Sequence, residues 1–127
     1  MSFAELGSTI AENRHKFTDD ELSLIRLLWL NRDYVPAKVI ALDLGIDERS
    51  LRGTDKEEGL RLSASRKLWG ISDYKIISRT GKPSGIKLTN DPQEWDEAAN
   101  QIEAHLWHQK VNADHYKEHK TEQMSLL

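Results

Sequence analysis

Pro36-Ala37-Lys38-Val39-Ile40-Ala41-Leu42-Asp43-Leu44-Gly45-Ile46-Asp47-Glu48-Arg49-Ser50-Leu51-Arg52 is the stretch that decides the fold. Proline suits the first turn of a helix, where its missing N–H has no intrahelical partner to lose. Val39, Ile40, Ala41, Leu42 and Leu44 supply the apolar positions of that helix. Gly45 is the natural left-handed terminator, and Asp47 can cap the helix that follows. The small Ala41, four residues before Gly45, allows close approach of the next helix, and Leu51 follows in it. A second stretch, Ile76-Ile77-Ser78-Arg79-Thr80-Gly81-Lys82-Pro83-Ser84-Gly85-Ile86-Lys87-Leu88, reads as two short strands around a glycine-bracketed loop.

Working outward, Phe17-Thr18-Asp19-Asp20-Glu21-Leu22 holds a capping box, with Thr18 as N-cap, Glu21 reaching back, and Phe17 and Leu22 placed as a staple. Leu22, Leu24, Ile25, Leu27, Leu28 and Trp29 then form a broad apolar face, which makes this helix core. Past Arg52 the pattern breaks at Gly53-Thr54. A helix restarting at Thr54 or Asp55 is expected to run through Leu60, Leu62, Ala64, Leu68 and Trp69 to Gly70. The strands are Tyr74–Arg79 and Ile86–Thr89, with Ile76 or Ile77 expected to pack inward beside Ile86 and Leu88. Asn90-Asp91-Pro92 opens a last helix with no breaker before about Lys120.

Trp95, Ala99, Ile102, Leu106, Gln109, Ala113 and Tyr116 space that last helix as a heptad seam. A straight helix of about 28 residues would be roughly 40 Å long. It therefore either folds back over the core or pairs with a second subunit, a homodimer through residues 92–120. Residues 1–17 read as an arm or a short helix capped near Ser8, and 121–127 as a frayed tail. The domain proper is 18–90.

Net charge is −3, but it is unevenly placed. Residues 1–31 carry −2, residues 32–90 carry +4 and residues 91–127 carry −5, with +6 concentrated in 61–87. Such a block points to a polyanionic partner. Four tryptophans argue against a disordered chain. The absence of cysteine excludes disulfides and thiolate metal sites. No basic, apolar leader and no run near the ~20 apolar residues of a membrane span is present, so the expected location is cytoplasmic with no membrane partner.

The Ala41-x-x-x-Gly45-hydrophobic order with Leu51 resembles a helix-turn-helix, and the 76–88 hairpin resembles the wing of a winged-helix domain. The whole order of elements over about 18–118 is similar to small winged-helix proteins of phages and mobile elements. That resemblance implies a mainly α fold with a β-hairpin, a winged helix-turn-helix plus a long C-terminal helix. It also implies a double-stranded DNA-binding regulator or replication accessory factor working without a cofactor or catalysis. The Gly53-Thr54 departure leaves open which helix reads DNA, and the reading element starts at Ser63 if not at Arg49.

For duplex DNA, cations near phosphate supply most of the affinity, and short or forked donors read base edges. Lys56, Arg61, Arg66, Lys67, Lys75, Arg79, Lys82 and Lys87 are the phosphate candidates. Arg49, Ser50 and Arg52, just past the turn, are the base-reading candidates. Acidic neighbours (Asp47, Glu48, Asp55, Glu57 and Glu58) oppose phosphate unless they pair or face away. They favour the alternative of a protein-interaction module, such as a phage inhibitor or adaptor, presenting its acidic last helix to a basic partner. His105 with His108, and His115 with His119, share helix faces, but one helix offers too few converging ligands for a metal. Ser63 and Ser65 have no histidine–acid order beside them, and the loop from Gly81 to Gly85 lacks Walker A spacing, so no enzyme is expected.

Overall fold

Thr18 and Glu21 begin the central helix as their spacing predicts. In the computed structural model, which describes residues 1–54, 57–101 and 107–119, the Glu21 N–H donates to Thr18 Oγ1 at 3.1 Å. The Thr18 N–H donates to Glu21 Oε1 at 2.7 Å. The helix they open, α2 (Asp19–Asn31), buries Leu24, Ile25 and Leu28. Removing the hydroxyl in Thr18→Ala should cost about 1 kcal/mol of stability in urea denaturation.

Before it lies α1 (Phe3–Glu12), capped by Ser2 and starting well ahead of Ser8. It is no detached arm. Leu6 is fully buried, Phe3 meets Tyr74 with ring centroids 5.5 Å apart, and Tyr74 Oη donates to the Met1 carbonyl at 2.9 Å.

The deciding stretch folds as α3 (Ala37–Leu44), a turn, and α4 (Glu48–Arg52). Gly45 sits at φ 67°, ψ 34°, the left-handed region where glycine carries no Cβ penalty. The Ile46 N–H reaches back to the Ala41 carbonyl at 3.0 Å. Asp47 caps α4 by accepting the Arg49 N–H at 2.8 Å, and Leu51 and Ile40 are fully buried in the angle between the helices.

The chain then departs from the expected restart at Thr54 or Asp55. Gly53 and Glu58 form a bridge, and the Thr54 N–H donates to the Glu57 carbonyl at 2.9 Å. A Cβ on Gly59 would lie 2.3 Å from the Gly53 nitrogen, so the loop closes only with glycine there. The next helix, α5, therefore spans Leu60–Ile71.

Strands β1 (Lys75–Arg79) and β2 (Gly85–Thr89) pair antiparallel, Lys75 opposite Thr89 and Arg79 opposite Gly85. Val35 extends the hairpin by exchanging two bonds with Ile86, at 2.8 and 2.9 Å. Alternation along β1 then buries both faces. Ile76 packs into the main core with Ile86 and Leu88, while Ile77 joins Trp95, Ala98, Ala99 and Tyr116 in a second cluster. Both isoleucines are core, where a choice of one was expected.

That second cluster comes from α6 (Pro92–Asn100) and α7 (Trp107–Lys117), which pack against each other. His119 Nε2 lies 3.0 Å from Asp96 Oδ1. Along one straight helix those two residues would stand about 35 Å apart. The seam residues Trp95, Ala99, Ala113 and Tyr116 are buried in the chain's own interior, so this seam is not free to pair with a second subunit. Ile102, Leu106, the Gln109 side chain and the tail from 120 lie outside the described residues. The architecture is mainly helical with one two-stranded hairpin, an arrangement compatible with a winged helix.

Candidate nucleic-acid interface

The positive block predicted to meet phosphate is divided by the hairpin. Residues 75, 77 and 79 of β1 share one face with 85, 87 and 89 of β2, and that face is turned toward α6. Lys75 is completely buried there. Its Nζ donates to the carbonyls of His115 at 2.6 Å, Tyr116 at 3.2 Å and Glu118 at 2.7 Å, and lies 4.3 Å from the ring centres of both Trp69 and Trp95. Lys75 thus caps the C-terminal end of α7, where orphan carbonyls and the helix dipole both favour a cation.

Lys87 donates to Glu94 Oε2 at 2.7 Å; burial alone would lower its pKa, but that bond and the Glu94 charge hold it above the ordinary lysine value. Arg79 Nη1 is 3.8 Å from Glu97, and its guanidinium stands 5.9 Å over Tyr34. The acidic α6 is therefore the counter-charge of the basic strands.

α5 is covered in the same way. Arg61, only 3% exposed, donates from Nη1 to the Ile76 carbonyl at 2.8 Å and from Nη2 to Asn112, and lies over the Tyr116 ring. Lys67 donates to the buried Glu21 at 2.6 Å, and Ser63 donates to the same carboxylate at 2.8 Å. Burial would raise the pKa of Glu21, but the bonds from Lys67, Thr18 and Ser63 outweigh it and hold the carboxyl below its usual range. Arg66 pairs with Glu58 at 2.5 Å.

A reading element starting at Ser63 does not fit these contacts, because Ser63 and Lys67 are tied to α2 and Ser65 to α7. Arg61 and Lys75 likewise do not fit a phosphate role, since reaching solvent would leave buried carbonyls without donors.

Ser65, which has no histidine–acid order beside it in the sequence, meets His115 fifty residues on, Oγ to Nε2 at 2.7 Å. Both are buried, and Ser65 Oγ also accepts the Ile76 N–H at 2.9 Å, so the pair pins α7 to α5 and β1. Burial, then the charges of Lys75, Arg61 and Arg66, bring the His115 pKa down to about 3. Among the described residues no three His, Cys, Asp or Glu side chains gather as metal ligands. His105 and the His108 side chain lie outside them, as does Lys56.

What remains outward is small and specific. On α4, Arg49 and Ser50 are exposed and Arg49 has no ion pair among the described residues; Arg52 pairs with Glu48 across one helical turn at 3.0 Å, both well exposed. At the hairpin tip Gly81, Lys82, Pro83 and Ser84 are all exposed, and Lys82 is likewise unpaired among the described residues. No protein-family model, curated protein or solved structure matches the chain. Among the described residues no helix is long and apolar enough to cross a membrane.

Proposed function

We propose that this chain is a winged helix-turn-helix protein that binds duplex DNA, with α4 as the short reading helix and the β1–β2 tip as the wing. The observation that carries the reading is where the unpaired members of the predicted set stand. Of the eleven candidates, Arg49 and Lys82 are the exposed cations without an anionic partner among the described residues, and they occupy the second helix of the corner and the wing tip. The Val35–Ile86 bridge supports it by tying the wing to the start of α3. Arg52 joins them at small cost, because an exposed pair one turn apart such as Arg52–Glu48 is worth only about 0.3–0.5 kcal/mol. In this reading the protein acts in the cytoplasm as a regulator or replication accessory factor, without catalysis or cofactor.

Fluorescence anisotropy with a labelled duplex pool tests it. Arg49→Ala is expected to cost about 1–3 kcal/mol on a preferred sequence if it reads a guanine. Lys82→Ala should weaken binding evenly across sequences. Unchanged affinity in the double variant would refute the assignment.

A second reading, a protein-interaction module, is favoured by the outer face of α3, where Val39 is 51% and Leu42 75% exposed. Leu42→Asp would then leave duplex affinity unchanged while abolishing capture of the protein partner.

A further inference from the structure

The α2 helix turns a second stripe to solvent that the DNA reading does not use. Asp19, Ser23, Arg26 and Leu30 follow one another along it at helical spacing, all exposed, with Leu30 70% exposed. On one side of the stripe an apolar groove of about 700 Å³ runs between α1 and α2, floored by Ile10, Leu22 and Trp29 and bordered by Arg14. On the other side a shallower groove of about 340 Å³ lies between α2 and α3, reaching Leu27, Leu44 and Asp43. Ser23, Arg26 and Leu30 border both grooves. An exposed leucine thus stands as a ridge between two apolar hollows. Neither Arg14 nor Arg26, nor Asp19 nor Asp43, has an ion-pair partner among the described residues.

We propose that this face is the site where a second copy of the chain docks, α2 crossing antiparallel over α2 of the copy. The surface itself selects that partner. It holds two cations and two anions, so neither an acidic nor a basic surface complements it, whereas a copy related by a two-fold axis can set Asp43 of each chain against Arg26 of the other. It also carries knob and hollow together, as a self-complementary interface needs. With the axis passing between residues 26 and 27, Leu30 lies over the small Ser23 of the second copy, seven residues away on the same helix face. Asp43, beside Leu27 and Leu30, then comes next to Arg26 of that copy. This dimer is separate from the seam of residues 92–120, whose described apolar side chains are buried within the chain.

Sedimentation equilibrium of the full chain, without nucleic acid and over a concentration series, tests the proposal. The wild type is expected to approach twice the chain mass. Leu30→Asp should sediment as a single chain throughout with its circular dichroism spectrum unchanged, because the side chain is mostly in solvent within one chain, and its melting temperature should no longer rise with concentration. Arg26→Asp and Asp43→Arg should each weaken association at least roughly tenfold, and the double exchange should restore it, a pattern that a merely structural role does not produce. A wild type that stays a single chain at the highest concentration overturns the proposal. So does a wild type that doubles in mass while Leu30→Asp doubles equally. Neither result touches the DNA reading, whose variants lie on α4 and the wing.

Discussion

Lys75→Ala is expected to lower the unfolding free energy by at least about 3 kcal/mol in urea denaturation. Three carbonyls at the end of α7 lose their shared donor, those of His115 and Tyr116 in buried bonds, and a buried group left unsatisfied costs about 1–3 kcal/mol. The lost methylenes, packed between Trp69 and Trp95, add a cavity cost. Lys82→Ala, at the exposed wing tip, should stay within about 0.5 kcal/mol of wild type. The contrast separates an internal cap from a phosphate ligand, although both are lysines of one basic block. A Lys75→Ala protein as stable as wild type but weaker for DNA would place that side chain in solvent and contradict the fold as described.

The second large effect is acid sensitivity through His115. Its pKa is about 3 in the folded chain, against 6.5 for an ordinary histidine, because burial and then Lys75, Arg61 and Arg66 disfavour the imidazolium. Since the unfolded chain takes up the proton first, this contribution is intact above pH 6.5. It is then lost progressively as the pH falls toward 3, by up to about 1.4 kcal/mol per pH unit. His115→Gln removes the titration while keeping a polar partner for Ser65. Its stability curve should therefore be flatter than wild type between pH 6 and about 4, although lower at neutral pH. Parallel curves for the two proteins would show that His115 is not the titrating group.

The features that sequence made legible are those decided by a few consecutive residues. The Thr18–Glu21 capping box, the Gly45 turn with Asp47 behind it and the Asp91-Pro92 helix start all depend on local backbone geometry, and each stands where its residues predict. The hairpin was equally readable from its β-branched runs and its glycines. The restart of α5 was not, because its position depends on Gly53 meeting Gly59 and Glu58 across a closed loop.

The interface was hardest to read because charge along the chain says nothing about which side of a strand is covered. Alternation places Lys75 on the Ile77 side, and that side is core only because α6 and α7 fold over it. A usable signal did exist. A heptad seam carrying Trp95 and Tyr116, in a chain whose β1 is apolar at both 76 and 77, calls for burial of both strand faces. The same covering explains why the acidic last block and the basic middle block occur together, since Glu94 and Glu97 face Lys87 and Arg79.

The most direct test of the central claim is the salt dependence of duplex binding by the full chain. Binding through Arg49, Arg52 and Lys82 alone predicts that log K for each bound chain falls against log salt with a slope between about −1, where Lys82 alone meets phosphate, and about −3, where all three do, near −0.9 for each contact. A slope of about −6 or steeper for each bound chain would mean that cations beyond these three reach the DNA. Affinity that is absent, or indifferent to salt, would contradict DNA binding by this surface.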